Sequence, residues 1–334
     1  MRSPPRGPVS GMTKMPADRA KCAPDILFRP LFLSAVLALA LTLLLYGRAL
    51  SLPLFSDDLV QVPWLESISW QELWTSTSPY GYYRPMWYSL WRLWGGLLGG
   101  LDSPNLHALN LIAHFAAAVL VGALAARWLR RDSGETSSRV AAVVATTLFA
   151  AFPFARQAIA WPGAVYNPIV AALAAGAVLS YEQGRRTGQA RWPILAAILC
   201  LLAAFHYEAG LLAAPLVLIV ELVGRVSRRW AIRRSWWPFG FLTLFLATFA
   251  FWLHMRGGGT ATFGLQAEDL RRNAGFVVQG LVYPVAPLAQ LLASAARLDR
   301  ELCLWLVALP SAGLLVWAGL RSQRDALFLA LGWI

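Results

Sequence analysis

The chain reads as a succession of long apolar runs broken by short polar connections. Runs over 31–47, 106–126 and 239–253 carry almost no charge. Each approaches the ~20 residues that an α-helix needs to cross a ~30 Å hydrocarbon layer. Followed along the chain, the pattern predicts span one over 30–46, span two over 106–126 and span three over 140–154. A fourth ends near Tyr181, a fifth covers 192–205, a sixth opens at Glu208 and a seventh rises to His254. The stretch 276–292 contains Pro284 and Pro287 and is either a kinked span or a re-entrant segment. Another run covers 302–320, and the last begins at Ala326 and stops at Ile334, well short of a crossing. That pattern predicts a natural chain continuing past Ile334. The expected fold is all-α, a polytopic transmembrane helical bundle, with a basic tail over 1–29 and one membrane module over 30–334.

The longest early connection, 47–83, precedes an aromatic-rich segment. A short helix is expected around 69–75. Met86, Trp87, Leu90, Trp91 and Trp94 then recur at helical spacing, with Ser89 and Arg92 off that stripe. This predicts an amphipathic helix lying in the interface plane.

Composition strengthens the membrane reading. Charged residues make up 14% and apolar ones 58% of the chain, whereas a soluble protein carries more Lys, Glu and Asp on its surface. Several of the 16 Trp stand at the ends of apolar runs, among them Trp128, Trp192, Trp230, Trp236 and Trp237, as in an interfacial belt. The net charge of +12 would suit nucleic acid, but its distribution argues against that partner. Basic residues gather in the tail (Arg2, Arg6, Lys14, Arg19, Lys21, Arg29) and in alternate connections. These hold Arg127, Arg130, Arg131 and Arg139, then Arg185, Arg186 and Arg191, then Arg225, Arg228, Arg229, Arg233 and Arg234. This is the positive-inside pattern, and it predicts a multi-pass protein of a bacterial plasma membrane with its N-terminus in the cytoplasm. No small-x-small cleavage site follows span one, which therefore reads as an uncleaved signal anchor. Cys22, Cys200 and Cys303 have neither metal spacing nor a disulfide framework and read as structural thiols.

With that orientation, the polar residues worth weighing lie at the external side. Asp57 and Asp58 follow span one. They are either a helix cap and solvated loop pair, or a site in which one carboxylate acts as general base. Neighbouring like charges raise one of the two pKa values. Arg84, in Tyr82-Tyr83-Arg84-Pro85, either snorkels toward lipid phosphates or holds a phosphate bidentately. His107, Asn110 and His114 share one face of span two; they mark a functional path or bond between helices, and for His114 the structural role is favoured. Glu208, beside His206 and Tyr207, needs a partner if it is not to be costly, and that partner is structural or part of a site. No phosphate loop, dinucleotide fingerprint, nucleophile elbow or zinc-protease motif is present.

The order of these pieces resembles the GT-C superfamily. The likeness rests on the anchor span, the paired acids, Tyr83-Arg84-Pro85, and His107-x-x-Asn110-x-x-x-His114. It continues through Leu148-Phe149-Ala150-Ala151-Phe152-Pro153, Ala160-Trp161-x-Gly163 and Glu208-Ala209-Gly210. Within the superfamily the chain is most similar to protein O-mannosyltransferases and the transmembrane tetratricopeptide mannosyltransferases, over about residues 31–290. It departs from them at Gly163-Ala164-Val165-Tyr166-Asn167, where that group has Gly-Arg-x-Asp/Glu, at Tyr207-Glu208 in place of Lys-Glu, and in lacking a tetratricopeptide region.

The resemblance implies an inverting glycosyltransferase that takes a sugar from a polyprenyl-phosphate carrier and places it on a protein, lipid or glycan hydroxyl at the external face. It implies Asp57 as the base and Asp58 as its positioning neighbour. Arg84, His107, Asn110 and Glu208 are then expected on the substrate side, with neither metal nor other cofactor. Two rival readings remain, a transporter or flippase of a lipid-linked substrate and a catalytically inactive membrane scaffold.

Overall fold

The computed structural model describes residues 25–152, 155–226, 236–255, 286–297, 299, 302–310 and 313. The described residues contain helices and turns and no strand. Ten helices run in order as α1 (Asp25–Tyr46), α2 (Asp58–Ser67), α3 (Trp70–Thr75), α4 (Pro85–Leu98), α5 (Ser103–Ala150), α6 (Ala155–Ala160), α7 (Tyr166–Thr187), α8 (Arg191–His206), α9 (Ala213–Val226) and α10 (Trp237–Met255). An eleventh, α11 (Ala286–Ala296), follows. Helices at Phe32–Ser51, Ser103–Leu129, Pro162–Thr187 and Trp237–Met255 are long and apolar enough to cross a membrane, and Arg191–His206 is apolar but shorter. The basic tail over 1–24, the loop at Gly257-Gly258-Gly259, the Pro284 segment and the run toward Ile334 lie outside the described residues.

Helix α5 holds both predicted spans two and three. Helical backbone continues from Ser103 to Ala150, yet the two halves lie side by side. Ser138 Oγ donates to the Ala126 carbonyl at 2.8 Å, Thr146 Oγ1 to the Ala118 carbonyl at 3.4 Å, and His114 Nε2 bonds the Ala150 carbonyl at 3.2 Å. In a straight helix, positions as far apart as 118 and 146 would be separated by ~42 Å at 1.5 Å per residue. The three pairs share one midpoint, position 132, so α5 is a helical hairpin. Gly122 permits the close crossing, since a Cβ there would lie 2.0 Å from Thr146 Oγ1 and 3.0 Å from the Ala142 carbonyl. His114 is thus spent on the hairpin, flanked by Tyr46 edge-on and Phe149 stacked. The structural role favoured for it holds.

Two of the apolar clusters among the described residues are large. One gathers α7, α8, α9 and α10 around Ala177, Val178, Tyr181, Cys200, Val217 and Phe241. The other joins the first connection to the bundle through Leu65, Leu73, Trp87, Tyr88, Trp91, Leu106, Leu109 and Val165. Helix α3 starts as expected: Ser69 Oγ accepts from the Glu72 backbone N–H at 3.1 Å, and the Glu72 carboxylate accepts from Ser69 N–H at 2.8 Å.

Three local expectations change. The buried face of α4 centres on Trp87, Tyr88 and Trp91 with Ser89 and Gly95, whereas Met86, Leu90 and Trp94 are half-buried. Packing on α2 and α5 turns the helix by about a residue, which brings the supposedly outward Ser89 inside. Glu208 does not open a long helix. Residues Glu208–Leu212 form a 3₁₀ turn and α9 starts at Ala213. There Gly210 sits so near the Ala203 carbonyl that a Cβ would meet it at 1.9 Å.

Arg127 and Arg185, read as loop charges, are half-buried and paired with buried carboxylates. Arg127 Nε lies 3.1 Å from Glu182, and Arg185 Nε lies 3.1 Å from Glu221. Trp128 Nε1 donates to Glu182 at 3.1 Å and the Tyr181 hydroxyl donates to Glu221 at 2.9 Å. Because α7 and α9 bring their carboxylates inward, these arginines neutralise charges the bundle could not otherwise bury.

Candidate functional site

The connection after α1 is held down before it reaches the acids. Ser103 Oγ donates to the Leu52 carbonyl, and the fully buried His107 ring faces the backbone of Leu52, Pro53 and Ile159. Ser56 then takes a left-handed backbone, φ 57°, a costly conformation for a residue with a Cβ. It turns the chain into α2, with Asp57 at the N-cap position and Asp58 as first helical residue.

The two acids face different surroundings. Asp57 is half-buried. It makes no capping bond to α2, which removes the cap as its explanation; its Oδ1 accepts from Ser56 Oγ at 3.3 Å. Asp58 is completely buried, and no hydrogen bond of full geometry reaches either carboxylate oxygen. Its neighbours are the Phe55 backbone, the Gly163 backbone and the indole of Trp161. Gly163 is required by this approach, because a Cβ would lie 2.8 Å from Asp58 Oδ1 and 2.8 Å from Trp161 Nε1. Burial pushes the Asp58 carboxyl up from 3.8 to about 7; the surrounding donors oppose the rise and the Asp57 charge adds little. The expectation that one of the pair titrates high is met at Asp58, for desolvation more than for repulsion.

The turn against Asp58 is fixed from α5. Asn110 Nδ2 donates to the carbonyls of Ala158 at 3.1 Å, Ile159 at 3.1 Å and Trp161 at 2.9 Å. Asn110 and His107 therefore face protein backbone instead of the surface.

Arg84 and Glu208 meet beside this turn. Arg84 Nε lies 3.1 Å from both carboxylate oxygens, and Nη2 lies 2.9 and 2.8 Å from them. Nη1 takes no part in the pair. The guanidinium lies over Tyr82 at 4.1 Å, Tyr207 at 4.6 Å, Tyr166 at 5.2 Å and Trp87 at 5.5 Å. Tyr166 and Tyr207 stack on each other at 4.0 Å. Arg thus sits in an aromatic box, where its flat cation gains from the ring faces. The acids and this box belong to one neighbourhood: the phenol of Tyr88 feels Asp57, Arg84 and Glu208 together.

The structure thus brings Asp57, Asp58, Arg84 and Glu208 to one end of the bundle, with His107 and Asn110 behind them. Trp161, Gly163 and the three tyrosines of the box were not singled out as site residues in the sequence. The signal available was the Ala160-Trp161-x-Gly163 motif and the aromatic density around Arg84. The chain matches no protein-family model and no curated protein.

Proposed function

We propose that the chain is an integral, multi-pass membrane glycosyltransferase of the GT-C type, moving a sugar from a polyprenyl-phosphate donor to an acceptor hydroxyl with inversion. The observation that carries this reading is the division of labour within the acid pair. Asp58 is locked in the interior, and Asp57 stands partly open beside a boxed arginine. The resemblance of the motif order to protein O-mannosyltransferases supports it further.

In this reading Asp57 takes the proton of the acceptor hydroxyl as its oxygen attacks the anomeric carbon. The bond from that carbon to the carrier phosphate breaks, and the phosphate leaves with the electron pair. Arg84, kept in orientation by Glu208 and the aromatic box, supplies positive charge toward the departing phosphate. Asp58, its carboxyl pushed up to about 7 by burial, fixes the start of α2. The apolar helices hold the donor's lipid tail next to the loop. The basic residues of alternate connections, Arg185, Arg186 and Arg191 among them, support an orientation with the acids outside and the N-terminus in the cytoplasm of a bacterial plasma membrane.

The test is transfer by full-length protein in membranes supplied with radiolabelled polyprenyl-phosphate sugars, following label into protein, lipid or glycan. Asp57→Asn protein should bind donor and lose transfer by at least a hundredfold. Turnover at the wild-type rate would overturn the assignment, and movement of intact carrier without bond cleavage would indicate a flippase.

A further inference from the structure

Two side chains in the neighbourhood of the acids are used by no step of the proposed transfer. Asn110 projects from α5 and is completely buried. Its amide nitrogen serves three carbonyls of one turn, those of Ala158, Ile159 and Trp161. Trp161 closes that turn. Its Nε1 is buried without a hydrogen bond of full geometry and lies against the Asp58 carboxyl. An indole N–H can only donate, so its natural partner is the carboxyl it faces. Asp58 is itself fully buried, and among the described residues Asp57 is the charged group acting on it.

We infer that Asn110 and Trp161 are positioning residues for the acid pair. Asn110 fixes the turn from α5, and Trp161 passes that position to the Asp58 carboxyl. Asp58 is joined to Asp57 by one planar peptide, and Ser56 on the other side is held at φ 57°. Little slack remains between the turn and Asp57, so the direction of the half-buried carboxylate follows from a bond made at Asn110. The geometrical half of this inference stands independently; its effect on turnover rests on the transferase reading.

The experiment uses full-length protein reconstituted in vesicles. The protonated Asp58 carboxyl is followed by difference infrared spectroscopy against pH, its band identified by loss in Asp58→Asn. Trp161→Phe keeps a ring and removes the N–H; Asn110→Leu removes the amide. Losing the indole N–H in the first, or the turn that aims it in the second, should raise the Asp58 midpoint by half a unit or more in each. With polyprenyl-phosphate mannose and polyprenyl-phosphate glucose as donors, kcat should fall at least tenfold while donor KM stays within threefold. Ser138→Ala, which removes only a hairpin bond far along α5, should move neither midpoint nor kcat. An unchanged midpoint in Trp161→Phe overturns the inference, and that variant alone decides if Asn110→Leu does not fold. A shifted midpoint in protein that transfers no sugar, wild type included, leaves the positioning intact and removes the transferase.

Discussion

Arg84 and Glu208, 124 positions apart, form a two-pronged ion pair inside a box of four aromatic rings. The Arg84 side chain is 9% exposed and that of Glu208 25%, so the pair is desolvated on one side and wet on the other. Breaking a fully buried pair costs about 3–5 kcal/mol. The exposure of Glu208 screens part of that, and Glu208→Gln should cost roughly 1–3 kcal/mol. Arg84→Leu together with Glu208→Leu should cost less than the two single changes added. Thermal unfolding of the detergent-solubilised set, read as a double-mutant cycle, checks this.

Asp58 gives stability a specific dependence on pH. Its folded carboxyl titrates at about 7, against an ordinary value of 3.8. Below about pH 4 both folded and unfolded chains hold the proton, and the group is neutral in stability. As pH rises from about 4 to 7 only the unfolded chain releases it, so stability falls; above about 7 the loss levels off. At roughly 1.4 kcal/mol per unit, the whole effect is at most about 4 kcal/mol. Unfolding midpoints of wild type minus Asp58→Asn between pH 4 and 8 should trace this fall, and a flat difference would contradict it.

Gly163→Ala places a methyl group 2.8 Å from both Asp58 Oδ1 and Trp161 Nε1. Overpacking of this kind costs about 1–3 kcal/mol. The displaced carboxyl should also cost activity out of proportion to the loss of stability. Tm and transfer rate measured on the same preparation separate the two effects.

The hairpin in α5 predicts a cross-link. With Cys22, Cys200 and Cys303 replaced by serine or alanine, Ala118→Cys with Thr146→Cys should oxidise to an intramolecular disulfide. Ala118→Cys with Ser138→Cys, out of register, should not. Gel mobility before and after reduction reads the result.

At the far end of the bundle, Glu182→Leu leaves the half-buried Arg127 beside an apolar side chain. Arg127 keeps its bond to Gln183 at 2.8 Å and is 17% exposed, so the loss expected is about 1–3 kcal/mol, below that for a fully buried pair. Folded yield and thermal midpoint in detergent measure it.

The all-helical character and the apolar stretches were legible because hydrophobic run length and 3.6-residue spacing are local properties. So were the short helix around 69–75, the structural use of His114 and the need of Glu208 for a partner. Who that partner is was not legible. Arg84 and Glu208 were singled out separately, and only the packing of α4 against α8 and the turn after it joins them. Trp161 became part of the acid site through a turn pinned by Asn110, a relationship between residues some 50 positions apart. Arg127 and Arg185 misled for the same reason: their carboxylate partners lie on other helices, so by spacing alone they look like solvated loop charges. The register of α4 was misjudged by a residue because Ser89 and Tyr88 are placed by what α2 and α5 present to them, not by their own polarity.

The α5 hairpin also decides where the chain tolerates a change of length. A residue added within 130–134 is absorbed at the bend, and both arms keep their facing. A residue added between Asn110 and Ala118 rotates everything before it by about 100° relative to the rest of the arm. Asn110 would then swing off the turn it holds while Thr146 and Ser138 still gripped their old carbonyls. Insertions in one arm would disable the acid pair at a distance, whereas the same insertion at the bend would pass unnoticed.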